Sequence, residues 1–452
     1  MTSNKLSFFE RANNWVRNSI TLRLVTITIL ILLLLIPVNM IQQLIEERED
    51  RQREAITEVS SKWGNDQIIN GLVLTVPYKS YSKVYDDDRE EYKWVESKSF
   101  AHFLPEDLIV KGEVLPEIRY RGIFEVVLYK ANLNLSGTFS KPSFERWKMD
   151  DSKIIWEEAF ISLGVSDLRG LQENVEVSWN GNKYEFNPGV ESNDVVRSGI
   201  STSIPINQSD SSEIVSFSLD LRFNGSSSLS FMPLGKRTAV SLKSPWEHPS
   251  YDGAFLPDNR EVSQDGFTAE WEVLHLNRPY PQQFQGSVSD FYSSSFGVNL
   301  IVPMDEYQKS MRSAKYAVMF ITLTFLIFFF VQILNGVRIH PIQYIIVGLA
   351  LCVFYTLLLS LSEHMAFKLS YLISSLAIIS LITFYANAVF KDGKITKLIG
   401  LILVMLYLFI FVIIQMEDFA LLMGSIGLFL VLATIMYLSR KIDWYAIRTE
   451  KE

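Results

Sequence analysis

Two pairs of ionisable residues lie next to long apolar segments in the C-terminal third of the chain. Glu363 and His364 follow one apolar run, and Glu417 and Asp418 separate two others. Burying a charge at membrane depth costs free energy unless it is paired or solvated, so such residues suggest a function. They could line the outer mouth of a pathway through a helix bundle. Alternatively, Glu363 and His364 only mark the point where a helix leaves the lipid. The basic residues that could then pair with Glu363 are Lys315, Lys368 and Arg312.

Two further residues are chemical candidates. His340 precedes Pro341 at the start of an apolar run on the predicted cytoplasmic side. Alternatively, because proline is common at the first position of a helix, this pair only marks a helix start. Trp246 lies in an aromatic and proline-rich stretch around His248. Exposed aromatic rings stack on sugars or on partner side chains. Packing of a buried loop is the more common use of such residues, and we favour it.

The common catalytic signatures are missing from the sequence. It contains no G-x-G-x-x-G, P-loop, G-x-S-x-G or H-E-x-x-H motif, which argues against the usual phosphate-binding, acyl-transfer and zinc-protease sites. No two of the five histidines share a helical turn, so a metal site would need assembly across the fold. The single cysteine, Cys352, cannot form an intramolecular disulfide. We therefore predict no catalytic residue, no cofactor and no metal.

Six apolar segments are long enough to cross a lipid bilayer as helices, which takes about 20 residues each. Their bounds are Ile20 to Ile41, Tyr316 to Leu334, Ile342 to Leu361, Leu369 to Phe390, Leu398 to Met416 and Phe419 to Leu438. The first is predicted to be an uncleaved signal anchor, because it exceeds a typical signal-peptide core and no A-x-A-like site follows. The charged residues 42–61 should continue it as a solvated helix.

The positions of lysine and arginine predict the orientation, since short cytoplasmic loops are enriched in both. With the N-terminus inside, twelve of them fall on the cytoplasmic side and only Lys368 lies in a short outer turn. Both termini are then cytoplasmic and residues 42–315 lie outside. That segment has 29 Lys and Arg against 42 Asp and Glu, a net charge of −13, which argues against nucleic-acid binding. The residues before the first segment form either an amphipathic helix in the inner headgroup layer or a disordered tail.

Between the first two apolar segments the hydrophobic pattern has a period of two, which is typical of strands with one buried face. The clearest case is Phe217 to Phe223, and another run extends from Ile118 to Leu128. Residue pairs that tolerate positive φ predict turns. These pairs are Asn180-Gly181, Asn224-Gly225, Asp252-Gly253 and Asp265-Gly266. We expect a β-sandwich or two packed sheets, in one lobe or in two lobes separated by the polar tract 187–212.

Several runs of residues resemble one family. In the outer segment they are Trp63-Gly64, residues 71–78 (GLVLTVPY), 119–124 (RYRGIF) and 248–257 (HPSYDGAFLP). In the membrane half they are 315–317 (KYA), the phenylalanine cluster 325–330, 340–344 (HPIQY) and 357–364 (LLLSLSEH). These runs are similar to the CreD inner-membrane proteins, also called cell envelope integrity or colicin-tolerance proteins. The resemblance covers most of the chain, from the first apolar segment to about Tyr385. Gln332 departs from the acidic residue that the family pattern leads us to expect.

The predicted fold class is an α+β membrane protein. It has six transmembrane helices and a large β-rich, sandwich-like periplasmic domain between the first and the second. The predicted segments are 1–41, with an amphipathic stretch and the first helix; 42–315, the periplasmic domain with helical stalks; 316–438, a five-helix bundle; and 439–452, a cytoplasmic tail.

The resemblance implies an inner-membrane protein of the bacterial envelope, produced under a two-component stress or nutrient response and linked to envelope integrity and colicin tolerance. It implies no reaction. Our leading interpretation is a non-enzymatic protein in the lipid bilayer whose outer domain binds an envelope protein, lipid or glycan, while the bundle anchors the domain or relays its state. The alternative is a transporter or lipid-handling protein that uses the five-helix bundle.

Overall fold

The computed structural model describes residues 20–86, 91–206, 214–288, 291–300, 306–335, 337, 339–416 and 419–440. The chain forms two compact units, residues 1–51 together with 304–452, and residues 52–303. The first unit contains long apolar helices and the second contains the β-strands. The fold class is therefore α+β.

Seven α-helices occupy the described residues. Their bounds are Ile20–Trp63 (α1), Glu306–Lys315 (α2), Ala317–Leu334 (α3), Pro341–Ser362 (α4), Phe367–Phe390 (α5), Gly393–Gln415 (α6) and Ala420–Ser439 (α7). Among the described residues, five helices, α1 and α3 to α6, are long and apolar enough to cross a membrane, whereas the apolar part of α7, Leu422–Tyr437, is shorter. The count of six spans stays a prediction. The charged residues after the first apolar segment continue α1 to Trp63, as the sequence predicts.

Buried aromatic rings and a few satisfied polar groups form the interior of the helical unit. The ring of Phe320 on α3 lies 4.6 Å from that of Tyr407 on α6. Gln332, the residue that departs from the family pattern, is buried and accepts a hydrogen bond of 3.0 Å from the hydroxyl of Tyr344. Because both polar groups are paired, their burial in an apolar interior costs little.

The described part of residues 52–303 contains seventeen strands. In chain order they are Gln67–Asp86 (β1), Glu91–Phe103 (β2), Asp107–Arg121 (β3), Phe124–Ser140 (β4), Phe160–Val165 (β5), Glu176–Trp179 (β6), Asn182–Glu185 (β7), Asn187–Pro188 (β8), Gly199–Ser203 (β9), Ile214–Ser226 (β10), Ser228–Met232 (β11), Arg237–Ser244 (β12), Pro249–Gly253 (β13), Asn259–Ser263 (β14), Gly266–Leu274 (β15), Gln283–Gln285 (β16) and Phe296–Leu300 (β17).

The strands form two sheets. One has nine strands in the order β13-β17-β11-β1-β5-β9-β8, with β2 paired to β1 and β16 paired to β2. The other has eight strands in the order β14-β15-β12-β3-β4-β10-β6-β7. Most neighbours are antiparallel, but β1 pairs with β11 and β12 with β3 in parallel. Buried side chains of both sheets form one continuous hydrophobic core, so the β-rich unit is a single lobe.

The period-two pattern is confirmed on β10. Phe217, Leu219, Leu221 and Phe223 are buried, and the residues between them are exposed. Burying each such side chain contributes about 1.5–3 kcal/mol relative to leaving it in water. The alternation therefore fixes which face of β10 meets the core and which face remains in solvent.

The run from Ile118 to Leu128 forms two strands rather than one. β3 ends at Arg121 and β4 begins at Phe124, with Gly122 in the turn at φ 63°. The register pairs Ile118 with Val127 and Tyr120 with Glu125, so the alternate apolar residues of β3 and of β4 lie on opposite faces across this two-residue turn. Ile118 and Tyr120 are exposed, whereas Val126 and Leu128 are buried, so the prediction of one buried face for this run is wrong. The hydrophobic pattern alone therefore does not reveal this hairpin.

The predicted turns have mixed outcomes. Asn180-Gly181 joins β6 to β7, and Asp265-Gly266 joins β14 to β15. The prediction for Asn224-Gly225 is wrong, because both residues lie inside β10. A Cβ on Gly225 would lie 2.3 Å from the ring of Tyr129. Close packing, not a turn, requires glycine there.

The last turn of α1 is fixed to strands within residues 52–303. The indole N–H of Trp63 donates to the Tyr129 carbonyl at 3.4 Å, and the guanidinium of Arg119 lies 4.3 Å from the indole ring. Gly64 follows at φ 147°, and a Cβ there would lie 2.6 Å from the Asn224 carbonyl oxygen. The Trp63-Gly64 pair thus has a packing role.

Candidate functional site

Glu363 follows α4 and lies where three helices meet. Its Oε1 atom is 3.6 Å from Nε of Arg48 on α1 and accepts a hydrogen bond of 3.3 Å from the hydroxyl of Tyr307 on α2. Only 11% of the Glu363 side chain is exposed, against 40% for Arg48. Because the carboxylate is mostly buried, the ion pair and the hydrogen bond offset part of its lost hydration.

Further polar contacts join the same helices. The hydroxyl oxygens of Ser310 on α2 and Ser362 on α4 lie 3.5 Å apart, and Nε2 of Gln42 on α1 donates to the Ala314 carbonyl at 3.4 Å. The short helix α2 buries the face that carries these residues. We use the name Glu363 cluster for Arg48, Tyr307, Ser310, Ser362 and Glu363.

Arg48, the ion-pair partner of Glu363, is not a residue that the sequence singles out. The alternative interpretation, in which Glu363 marks the end of a helix, predicts Lys315, Lys368 or Arg312 as its partner. The ion pair that the described residues show is with Arg48 on the first helix. Arg48 lies in a run of charged residues, and such a run predicts a solvated helix face without distinguishing any one residue.

Of the other three members of the predicted group, only His364 lies within the described residues, and it does not join the cluster. His364 has an exposed side chain, and its backbone N–H donates to the Leu361 carbonyl at 3.0 Å. Glu417 and Asp418 lie outside the described residues. A pathway lined by all four side chains therefore stays a prediction.

His340 caps the start of α4. The side-chain Nδ1 of His340 accepts a hydrogen bond of 3.3 Å from the backbone N–H of Ile342. The backbone N–H of His340 donates to Oε1 of Gln343 at 2.9 Å. These two bonds form a capping box, which satisfies backbone and side-chain groups at a helix start. Pro341 occupies the first turn, where its missing N–H is harmless. This geometry agrees with the alternative interpretation, in which His340 and Pro341 mark the start of a helix.

Trp246 is half-buried against the hydrophobic core of the β-rich unit. Its indole N–H donates to the His248 carbonyl at 3.1 Å, and its backbone N–H donates to the Ser244 hydroxyl at 3.3 Å. These bonds hold the side chain within the connection between β12 and β13. The geometry therefore supports loop packing for Trp246 rather than a free stacking surface.

A buried histidine that sequence reasoning missed links the sheet to a loop. Nδ1 of His102 on β2 lies 3.0 Å from Oγ1 of Thr75 on β1, and Nε2 lies 3.1 Å from Oδ2 of Asp194. Because a carboxylate only accepts, we assign the proton of the neutral ring to Nε2, and Nδ1 accepts the Thr75 hydroxyl. Ser192 donates to the same carboxylate oxygen at 2.9 Å. We call Thr75, His102 and Asp194 the His102 array.

The His102 array joins a hydroxyl, an imidazole and a carboxylate, as a hydrolase triad does, but its hydroxyl group is not accessible to a substrate. Thr75 and His102 are both buried, so a substrate carbonyl does not reach the hydroxyl. Burial lowers the pKa of His102, and the hydrogen bond and charge of Asp194 act in the opposite direction. The array thus holds a neutral imidazole that ties the loop containing Asp194 to the sheet. His102 and Asp194 are 92 positions apart, so no sequence motif with a short spacing identifies them as a pair.

Among the described residues, no group of three or more His, Cys, Asp or Glu side chains could hold a metal ion. Cys352 is a free, buried cysteine on α4. The polar chemistry that the described structure offers is therefore ion pairing and hydrogen bonding.

Comparisons with known proteins agree with the helical architecture. The family described as "Inner membrane protein CreD" matches residues 19–445. The inner membrane protein CreD of Escherichia coli (strain K12) is 33% identical over 422 residues, which cover 92% of each chain. A match of this extent includes α1, the β-rich unit and all later helices. The chain belongs to the CreD family of inner membrane proteins.

Proposed function

We propose that this protein supports the integrity of the bacterial envelope, and that its β-rich domain, residues 42–315, lies in the periplasm and binds an envelope component or protein partner. The chain crosses the inner membrane six times with both termini in the cytoplasm, and it catalyses no reaction. One observation carries the proposal: a match to an inner-membrane family along nearly the whole chain includes a large β-rich unit between the first two membrane-capable helices.

The charge distribution supports this orientation. Basic residues concentrate in the N-terminal segment, in alternate connections between the apolar helices and in the C-terminal segment, as expected of cytoplasmic loops. The segment 42–315 is acidic and contains no cysteine. A domain of this size buries enough apolar surface to fold in an oxidising compartment without disulfides.

The Glu363 cluster supports an anchoring or relaying role for the helices. In the chain, α1 precedes the β-rich unit and α2 follows it, and both contact Glu363 after α4. A change in the spacing of α1 and α2 would break the Arg48 ion pair or the Tyr307 hydrogen bond. A Glu363 cluster that alternates between a state with these contacts and a state without them transmits a binding event to the bundle, provided that the ligand prefers one of the two states.

Crosslinking in intact bacterial cells tests the binding role. Tagged full-length protein is compared with a variant in which a flexible linker replaces residues 64–303. The proposal expects envelope partners that are captured by the full-length protein and lost with the domain. Capture of the same partners by both proteins would contradict it.

Protease treatment of spheroplasts tests the topology. Tags at both termini should resist protease, and the β-rich domain should be digested. Digestion of either terminal tag, or protection of the domain before lysis, would contradict the proposed orientation. Detergent lysis serves as the control, because all segments should then become accessible.

The mostly buried carboxylate of Glu363 favours a second candidate function, transport or lipid handling by the helix bundle, because ionisable groups at membrane depth often line pathways. Replacing both Glu363 and His364 by Gln should then abolish the envelope phenotype at unchanged protein abundance. Arg48→Gln is the matched control because it breaks the same ion pair. Loss of function in both variants indicates that the pair is structural, whereas loss in the first variant alone supports a pathway.

A further inference from the structure

A trough crosses the exposed face of the eight-stranded sheet. It has a volume of about 980 Å³ and extends over six neighbouring strands, from β10 through β4, β3, β12 and β15 to β14. Neighbouring strands lie about 4.8 Å apart, so the trough is about 24 Å long. The opposite faces of these strands contribute to the hydrophobic core, as the alternating burial on β10 and β15 shows. The sheet thus offers an elongated, open surface to a ligand.

The side chains of the trough form two rows that run perpendicular to the strands. In the first row each residue lies directly opposite the next: Asp220, Asn134, Lys111, Ser241, Glu270 and Asn259. The second row is displaced by two residues on every strand: Arg222, Asn132, Glu113, Lys243, Thr268 and Glu261. The two rows lie about 7 Å apart. All twelve side chains are polar, and all line the trough.

Contacts within the trough preorganise part of this surface. Nδ2 of Asn134 donates to Asp220 at 2.8 Å, and Nζ of Lys243 lies 3.1 Å from a carboxylate oxygen of Glu113. Groups that are already fixed lose less conformational entropy when a ligand binds. Within the described part of the chain, Asn132 makes no side-chain hydrogen bond. Donors and acceptors thus remain for a ligand beside the fixed groups.

We propose that this trough binds an extended, nearly neutral polysaccharide strand of the envelope, whose hydroxyl and acetamido groups form hydrogen bonds with the two rows. The inference rests on the proposed function, because such a strand meets the domain only in the periplasm. The length of the trough suits several consecutive sugar rings rather than a single small molecule.

The charge and polarity of the rows favour a polysaccharide over other polymers. The charged residues nearly balance: Lys111, Arg222 and Lys243 against Asp220, Glu113, Glu261 and Glu270. A nucleic acid or another polyanion requires an excess of basic side chains. A protein interface is centred on aromatic or apolar anchors with few charges, and the rows have no such anchor. Sugar hydroxyl groups both donate and accept, which suits amide, carboxylate and hydroxyl side chains.

Binding of chitohexaose, a soluble oligomer of β-1,4-linked N-acetylglucosamine, tests the assignment. Full-length protein in detergent micelles is titrated calorimetrically with chitohexaose and, separately, with polyphosphate as a polyanionic probe. The trough variant combines Lys111→Ala, Asn132→Ala and Glu270→Gln. The control variant changes the same residue types on the exposed edge strand β7: Asn182→Ala, Lys183→Ala and Glu185→Gln.

We expect saturable binding of chitohexaose that weakens at least about tenfold in the trough variant, the effect of losing one or two hydrogen bonds, and an unchanged Kd in the control variant. No binding by the unmodified protein, equal affinities of the two variants, or a preference for polyphosphate would each overturn the assignment. Such a failure leaves the periplasmic location and the crosslinked partners intact. A cytoplasmic domain in the spheroplast experiment would instead overturn the proposed function, even if chitohexaose bound.

Discussion

The His102 array should make the β-rich unit sensitive to acid. Only 2% of the His102 side chain is exposed, and its folded-state pKa is lowered by burial despite the opposing effect of Asp194. Unfolding returns the ring to water, where its pKa is about 6.5. Below that pH the unfolded state binds more protons than the folded state. The stabilisation is therefore complete above about pH 6.5 and is lost as the pH falls toward the folded-state pKa.

The size of this effect follows from proton linkage. Between the two pKa values, one histidine changes the free energy of unfolding by about 1.4 kcal/mol per pH unit. Asp194→Asn retains a hydrogen-bond acceptor for Nε2 but removes the negative charge that raises the pKa of His102. The folded-state pKa then falls further, and the acid-sensitive window extends to lower pH. His102→Gln removes the titrating group, so its contribution to the slope disappears.

Urea unfolding of the full-length protein between pH 7.5 and 5 measures these slopes. Tryptophan fluorescence reports mainly on the β-rich unit, because all but two of the nine tryptophans lie in residues 52–303. The unmodified protein should lose stability more steeply than His102→Gln, with a difference in slope of up to about 1.4 kcal/mol per pH unit within the window. His248→Gln, which removes an exposed histidine, controls for the loss of one imidazole. Equal slopes for the unmodified protein and His102→Gln would refute the reasoning.

Three further predictions concern the helices and the hairpin. In a double-mutant cycle, Arg48→Gln and Glu363→Gln should couple by about 1 kcal/mol, measured by thermal unfolding in detergent; additive effects would contradict a functional ion pair. His340→Ala should destabilise the start of α4 by about 1 kcal/mol, and His340→Asn should restore the cap, as judged by hydrogen exchange of the backbone amides of residues 342–344. Gly137→Ala should destabilise the β3–β4 pairing by about 1–3 kcal/mol, because the new Cβ would lie 2.0 Å from the Asp107 carbonyl oxygen; unchanged urea unfolding would count against this contact.

The sequence predicts the elements of this fold better than their connections. Period two predicts β10 because each second side chain of this strand meets the core. The same pattern does not reveal the hairpin at Gly122, because the apolar alternation continues through the turn, although the register places Ile118 and Tyr120 on the face opposite to Val126 and Leu128. Asn224-Gly225 has the composition of a turn, but Tyr129 packs where a side chain of Gly225 would lie. The requirement for glycine at position 225 comes from a contact between neighbouring strands, and local turn propensity carries no information about such a contact.

The same limit applies to the polar sites. Glu363 can be found from the sequence because a carboxylate at the end of an apolar segment is uncommon. Its partner Arg48 belongs to a charged run in which every residue has the same local character. His102 is a single histidine in a strand, and its partner Asp194 lies in a distant loop. Sequence therefore identifies a buried charge by its unusual surroundings, whereas the partner is fixed only by tertiary packing.

Some polar side chains of this protein are already hydrogen-bonded within the fold, whereas others are available to a ligand. The carboxylate of Glu363 and the imidazole of His102 are mostly buried, and each is held by partners from other segments. Leaving such groups unpaired would cost about 1–3 kcal/mol or more, so their hydrogen bonds are committed to stability. Asn132 is exposed, and its amide makes no side-chain hydrogen bond within the described chain. A ligand can form bonds with such a group without breaking any that the fold requires. On this physical ground, the trough is a better place for recognition than either buried cluster.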